Sequence, residues 1–511
     1  MPCSTNSIGS MGHRPKRREF LAAVGTAGIV GVAGCSGGGG DNNTSGGGGD
    51  TTGAGGGGAE DTETGASGEG EGGETTGEET EDGETTGEGT DGGNETDGGN
   101  ETGGGNETGG GSAEGREIMV GVLQPTTGDL ASVGEPIQQA ALLPAVQLEG
   151  SDMAFTINTQ AEDTQTDPQA GISAAQALVD AGYPSITGAA SSETTIQVAQ
   201  NVATPNEVVM CSPASTSPAI TDLQDNGYVY RTPPSDALQS EVLAQVASER
   251  VEASSVSVMF VNNSYGQALA EAFASAFGGE VPAQVSFEKA QSSYTSKLQE
   301  AMSSSPGALL VIGYPESGNQ LFRDYYSNYS RDTQILVTDG LRDSALPGNV
   351  GQPLTNVLGT APLAAGPARE FFTQSFQDEY GGEPGVFTSQ AYDATAIQIL
   401  ANAAGGENSG SAVQENMDSV ANPPGTEVGP ENLAEAIGMA ASGEEINYQG
   451  ASSNITFDDN GDIAAATYEV FTYTEDGSIE QADTVQFGGS GGGGGGGTGN
   501  NSSASGNNSS G

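Results

Sequence analysis

Histidine is nearly missing from this chain. The only one is His13, inside what reads as a leader. Without histidine the remainder can build neither a Ser-His-Asp nor a Cys-His nucleophile relay, nor a zinc-protease helix, and most transition-metal sites lose their usual ligand. Positive charge is almost as scarce: Lys+Arg 13 stand against Asp+Glu 68, a formal net charge of -55. That balance excludes a nucleic-acid-binding surface. The acids are not confined to one tail, since Glu241, Glu249, Glu252, Glu370, Asp378, Glu379, Glu444 and Glu445 sit among regular apolar patterns, and the only lysines after position 18 are Lys289 and Lys297. Such a domain looks adapted to high salt, where screening removes self-repulsion. Cysteine is too rare for a disulfide framework: Cys3 and Cys35 lie in or before the leader, and Cys211 ends an apolar run as a buried core thiol.

The leader itself is well marked. Arg17-Arg18-Glu19-Phe20-Leu21 reads as a twin-arginine motif, followed by an apolar run to Val32 and then Val32-Ala33-Gly34-Cys35. The run is about a dozen residues, too short to span roughly 30 Å of hydrocarbon as a permanent helix. Small residues before Cys35 resemble a lipobox, whose cysteine becomes a lipidated amino terminus, and the twin-arginine route exports folded cargo. Met11 is an alternative start. Residues 1–35 are thus expected to be a lipoprotein signal. Residues 36–115 are low-complexity Gly, Glu, Asp and Thr with repeated Gly-Gly-Asn-Glu-Thr, expected to be a disordered tether. A Gly/Ser/Asn tail over 488–511 is expected to be disordered too.

Between these flanks, short apolar strands alternate with helical patterns, the mark of an α/β protein. Strands are predicted at 118–123, 153–159, 185–187 and 209–212. Helices are predicted with Ile137, Ala141, Ala145 and Leu148 on one face, over 168–181, and from Ser192. Pro144 is expected to kink the first of them. A second cycle follows Tyr230-Arg231-Thr232: helix 235–250, strand 255–261, helix 264–276, strand 281–287, helix 294–304, strand 308–313, helix 316–328 and strand 334–338. A chain this long divides into two lobes. The stretch Val209 to Thr221 reads as a strand ending in hydroxyls and prolines just before a helix, which suits a small anion. Read alone, it is equally an ordinary strand-to-helix turn.

Several motifs occur in one order: Ile118 to Leu123 with Thr127-Gly128, the turn Gly188 to Thr195, Ser212 to Pro218, and Tyr230-Arg231-Thr232. Asn262 to Gly266, Gly313 to Gly318 and Thr338-Asp339-Gly340 follow. As a set they resemble the extracellular binding proteins for branched-chain amino acids (Leu, Ile, Val) that feed ABC importers, as found in haloarchaeal lipoproteins. The resemblance covers 116–487. It implies a type I periplasmic-binding-protein fold: two doubly wound, Rossmann-like α/β lobes joined by three hinge crossovers, with ligand held between them. On that pattern lobe 1 is 116–233 plus 361–453 and lobe 2 is 234–360 plus 454–487.

The resemblance also implies a ligand set. A free amino acid presents a carboxylate, which suits the paired Ser191 and Ser192 and Thr216 with nearby helix N–H groups. Its ammonium suits Asp339, with the Ala214 carbonyl and Thr216 hydroxyl completing the shell. Tyr265 and Tyr314 would close over it from the opposite lobe. Two departures stand out: Glu193 follows the paired serines where relatives carry a small residue, and Asp339 is shorter than the Glu often found there. Read without the resemblance, Asp339 is a turn or cap residue and Tyr265 a core tyrosine. Asn262-Asn263-Ser264 fits a glycosylation acceptor, but a glycan at the cleft mouth would obstruct closure and none is expected. Asp458 to Asp462 hints at a calcium loop, but lacks the later Glu and reads as a tight turn. Ser317 lacks a nucleophile-elbow context. The expected protein is therefore a monomeric, lipid-anchored, extracytoplasmic receptor without enzyme activity, metal or cofactor, delivering an amino acid to an ABC permease. An amide, urea or aromatic-acid ligand and a signalling receptor lobe are the alternatives.

Overall fold

Ile118, Val120, Val122 and Leu123 have no exposed surface. That makes β1 (Arg116–Gln124) the near-continuous apolar run of a strand covered on both faces. The computed structural model describes residues 115–487; Arg17, Arg18, Cys35, the tether up to 114 and the tail 488–511 lie outside the described residues. From β1 the chain runs through α1 (Ala131–Leu148), β2 (Phe155–Asp163), α2 (Pro168–Asp180), β3 (Ser185–Gly188), α3 (Ser192–Val198), β4 (Val209–Ser212) and β5 (Val229–Arg231). The strands pair in parallel in the order β2-β1-β3-β4-β5. Helix α1 continues through both Pro136 and Pro144. Asp167 caps α2 by accepting the Ala170 N–H at 2.9 Å, with Pro168 at the first helical position.

The second lobe repeats the scheme. It contains α4 (Asp236–Gln245), β6 (Val256–Val261), α5 (Ser264–Ala276), β7 (Gln284–Phe287), α6 (Thr295–Ala301), β8 (Ala308–Ile312), α7 (Pro315–Asn328), β9 (Gln334–Val337), α8 (Leu346–Val350) and β10 (Val357–Pro362). After β10 come α9 (Arg369–Tyr380), α10 (Thr388–Gly405), α11 (Gly410–Ala421), β11 (Thr426–Val428), α12 (Leu433–Ala441) and β12 (Ile446–Tyr448). This segment returns to the first sheet: α10 packs on α1, β1, β3 and β4, and α11 on β4. Every residue of α10 from Thr388 to Ala403 is buried. The chain then adds β13 (Ala466–Tyr473) and β14 (Ile479–Phe487) to the second sheet, whose order is β14-β13-β10-β9-β8-β6-β7. β13 and β14 are antiparallel and the others parallel. The architecture is thus two mainly parallel α/β lobes.

Two expectations need correction. The helix foreseen after Ser212 does not form: Ser217 caps only a three-residue turn, Pro218–Ile220. Pro213 and Pro218 lack N–H donors, and Arg231 donates to the Ser217 carbonyl at 2.8 Å, tying down the segment where a helix would begin. The turn 457–463, expected within the second lobe, instead lies against the edge of the first sheet, where the Arg231 N–H donates to the Gly461 carbonyl at 3.0 Å. Asp458 spends its Oδ1 on the N–H groups of Asn460 and Asp462, at 2.8 and 3.1 Å, as a tight turn requires.

In both sheets the strand order reverses once, between β1 and β3 and between β6 and β8. A doubly wound sheet leaves a crevice at such a switch, outside the carboxyl ends of its strands. Among the described residues no helix is long and apolar enough to cross a membrane.

Candidate functional site: the cleft between the two sheets

The two crevices face a single cavity of about 360 Å³, counting the part open to solvent. Leu130, Val133 and Ile137 of the first lobe, with Val386 and Phe387 ahead of α10, give it an apolar wall. Ala190, Ser192 and Ala214 follow β3 and β4, while Tyr265, Tyr314, Asp339 and Gly340 come from the second lobe. Five of the seven expected ligand residues therefore line one space: Ser192, Ala214, Tyr265, Tyr314 and Asp339.

The other two lie just behind it. The Ser191 hydroxyl is 3.4 Å from the Tyr314 hydroxyl. Thr216 is buried and donates to Asp236 Oδ2 at 3.0 Å, so its hydroxyl is turned from the gap toward a carboxylate that the sequence reading overlooked. Asp236 opens α4 right after its cap Ser235, where an acid is ordinary helix-terminus chemistry, and nothing in the local pattern marks it out.

The first-lobe loops hold their shape through their own hydroxyls. Ser212 donates to the Ala189 carbonyl at 2.6 Å, and Ser215 reaches the Ala189 and Ala190 carbonyls at 3.1 Å each. Thr195 meets Ser215 at 2.8 Å, and Ser192 accepts the Ser217 N–H at 3.3 Å. Behind them, Arg231 is wholly buried and pairs with Asp462 through two nitrogens, while also donating to Thr221 Oγ1 at 2.6 Å. Its donors are thereby directed away from the cavity.

The second-lobe wall carries the charge. Asp339 starts a one-turn helix after β9 and is 3 % exposed. The Tyr265 hydroxyl lies 3.4 Å from each of its oxygens and 2.7 Å from Thr338 Oγ1. Burial pushes the Asp339 carboxyl up to about 6, against the pull of hydrogen bonds from Gln239, its own and the Gly340 N–H, and Tyr265. Asp236 is raised well above the usual carboxylate range, first by burial and then by the charge of Asp339. Tyr265 and Tyr314 stack with ring centroids 5.6 Å apart, and Asn263 donates to the Tyr314 hydroxyl at 3.0 Å. Position 340 must be glycine: a Cβ there would stand 2.4 Å from the Gly313 carbonyl and 3.3 Å from the Tyr265 hydroxyl.

The lobes also meet around the rim. Ser132 donates to Asp343 at 2.8 Å, Ser317 to Asp129 at 2.8 Å, and Ser217 to the Ser264 carbonyl at 3.1 Å. Lys289 reaches the Thr166 carbonyl at 2.6 Å. These contacts join the lobes in a closed arrangement. Ser317, the one serine considered as a nucleophile, is spent on Asp129.

A family model described as a periplasmic binding protein matches residues 117–433. The chain is similar to the chemotactic signal transduction system substrate-binding protein BasB of Halobacterium salinarum, 25 % identical over 393 residues, covering 73 % of this chain and 91 % of that protein. It is also similar to Leu/Ile/Val-binding protein homolog 3 of Brucella melitensis, 26 % identical over 380 residues, covering 71 % and 93 %. Among solved structures it resembles the branched-chain amino acid transporter substrate-binding protein LivJ of Streptococcus pneumoniae, in complex with isoleucine. There the TM-score is 0.61 at 19 % identity, over 73 % of this chain and all of the other. The fold is accordingly the type I periplasmic-binding-protein fold.

Proposed function

The chain belongs to the periplasmic binding protein family, a family of extracytoplasmic receptors rather than enzymes, and from that premise we propose that it captures a branched-chain amino acid between its lobes. One observation carries this reading. A nearly buried carboxylate, Asp339, borders a small cavity whose other wall is aliphatic, and the contacts it makes come from hydroxyl and amide groups. A buried carboxylate without a cationic partner is costly, and an ammonium group supplies that partner. An uncharged amide does not. The Leu130, Val133 and Ile137 wall suits an aliphatic side chain, and Ser192 with the neighbouring backbone N–H groups suits the carboxylate.

The mechanism is hinge closure. Ligand contacts with both walls shift the population to the closed form, held at the rim by Asp129–Ser317 and Lys289–Thr166, and an ABC permease recognises that shape. Cys35 would carry the lipid anchor and Arg17-Arg18 direct export, keeping the receptor on the outer face of the cell membrane. Titration calorimetry of the purified chain in molar salt is expected to show saturable binding of leucine, isoleucine or valine. No heat with any of them, together with binding of an aromatic acid or an amide, would overturn the reading. Kinship to BasB supports a second output, signalling rather than delivery, on the same binding chemistry. A deletion strain separates the two: lost uptake of labelled leucine supports delivery, whereas intact uptake with lost attraction supports signalling.

A further inference from the structure

Asn263 is buried and uses both ends of its amide. Its Oδ1 accepts the Gly266 N–H at 2.9 Å, which caps α5, and its Nδ2 donates to the Tyr314 hydroxyl at 3.0 Å. The cap decides which end faces where. Gly266 offers a donor, so the amide oxygen must turn to it and the NH2 group is left for Tyr314. One residue thereby joins the two aromatic rings of the cleft. Tyr265 lies in the first turn of the helix that Asn263 caps, and Tyr314 stacks on it with ring centroids 5.6 Å apart.

The consequence lies in the direction of one hydrogen. A phenol hydroxyl donates a single hydrogen bond and can accept others, whereas an amide NH2 only donates. Held by Asn263, the Tyr314 oxygen is an acceptor on that side, and its own hydrogen must point elsewhere. Burial pushes the Tyr314 phenol up, so the hydrogen stays in place. Among the described residues the other partner of this hydroxyl is Ser191 Oγ of the first lobe, 3.4 Å away. That separation is long for two hydroxyls. Tyr314 lines the cavity together with Ser192 and Ala214 of the same first-lobe loops. Its hydrogen is therefore directed toward the first lobe, where the free site offers it only a weak acceptor.

We infer that Asn263 is a positioning residue that sets the Tyr314 hydroxyl as a donor across the cleft, aimed at the carboxylate end of the guest. The inference rests on the amino-acid reading of the cleft and deepens it, because that reading supplies the carboxylate. A carboxylate accepts more strongly than a serine hydroxyl and takes the hydrogen in a charge-assisted bond. No proton changes hands. With the polarity fixed before binding, the site meets the negative end without first turning a hydroxyl round. A neutral amide in the same place accepts more weakly, so the Asn263–Tyr314 link favours acids.

Asn263→Asp tests it, since the new carboxylate still caps α5 but draws the Tyr314 hydrogen the other way. Leucine affinity of the full chain, measured by calorimetry in molar salt and mildly alkaline buffer, is expected to fall about tenfold. In a Tyr314→Phe background the same substitution is expected to cost less than about threefold, because the hydroxyl it reverses is gone. An equal loss in both backgrounds, or no loss where Tyr314 is present, would overturn the inference. A cap that mattered only for folding would lower the melting temperature and leave the two backgrounds alike. Carbon-13 spectra of the tyrosine-labelled chain read the polarity with no ligand present. The Tyr314 Cζ resonance, identified by its loss in Tyr314→Phe, is expected to move to higher frequency in Asn263→Asp, as a phenol that donates to a carboxylate gains phenolate character. If leucine gives no heat with the wild type, the amino-acid reading falls, yet the Cζ resonance still decides the polarity: unmoved, it would sink the role of Asn263. Should Asn263→Asp fail to fold, Asn263→Ser keeps a cap oxygen and loses the NH2 donor. Its loss of affinity is again expected only where Tyr314 keeps its hydroxyl, and equal losses would overturn the inference.

Discussion

Two buried aspartates, one in each lobe, have nearly the same exposure and opposite meanings. Asp393 sits in α10 with none of its surface exposed, and Asp339 borders the cleft at 3 %. Burial pushes each carboxyl up to about 6. Their partners differ. Asp393 accepts from the Tyr448 hydroxyl at 2.9 Å, the Ala451 N–H at 2.9 Å, the Ser452 N–H at 2.7 Å and the Ser452 hydroxyl at 2.5 Å. Asp339 has the Tyr265 hydroxyl at 3.4 Å from both oxygens, together with Gln239 and the N–H groups of its own turn. The first is fully satisfied by its own chain and anchors the segment that leads from β12 back to the second sheet. The second stands beside an open space lined by apolar side chains. A shifted pKa alone would rank them equally, whereas the cavity beside Asp339 tells structure from site.

Four substitutions and a titration sharpen that contrast. Asp393→Asn turns an amide NH2 toward at least one donor, leaving buried N–H or O–H groups without acceptors. It is expected to cost about 3 kcal/mol in denaturant unfolding, with leucine affinity of the folded fraction unchanged. Asp339→Asn is expected to do the reverse: leucine binding weaker by more than about 2 kcal/mol, with no loss of melting temperature. If Asp339→Asn unfolds the protein and Asp393→Asn does not, the comparison is wrong.

Gly340→Ala is expected to weaken binding by about 1–2 kcal/mol, because its Cβ pushes the Gly313 loop and Tyr265 apart. Tyr265→Phe removes one hydroxyl from Asp339 and is expected to cost about 1 kcal/mol in affinity. The pH dependence has a definite sign. Both carboxyls are raised above the ordinary value of 3.8, so each contributes stability that is fully present below that value and lost as pH rises through about 6. Thermal melts of the ligand-free chain should therefore show these two groups favouring the acid side of the window. Leucine affinity should fall over the same interval as Asp339 protonates. Asp339→Asn should flatten its share of both curves.

Much of this was legible from the residues. The strand–helix alternation of both lobes follows from apolar runs and periodic faces, and the predicted elements from 118 to 338 match the observed ones within a few residues at most boundaries. Ser192, Ala214, Tyr265, Tyr314 and Asp339, which the resemblance implies as ligand residues, line the cavity. Helix α10 was less legible. It is buried all round, so it has no polar face to impose a helical period on the pattern. The helix expected after Ser212 is absent where Arg231, arriving from β5, holds the Ser217 carbonyl, a long-range contact that no local pattern shows.

The chain's own residues determined the fold class, the order of the elements and which short motifs stand at strand ends, because these depend on local periodicity and on chemistry within a few positions. Tertiary structure alone decided which carboxylates are buried. Asp236 and Asp339 are far apart in sequence, and each looks locally like an ordinary helix-start acid. Only the packing of the folded chain strips both of water. Burial is a property of that packing, and no local pattern records it.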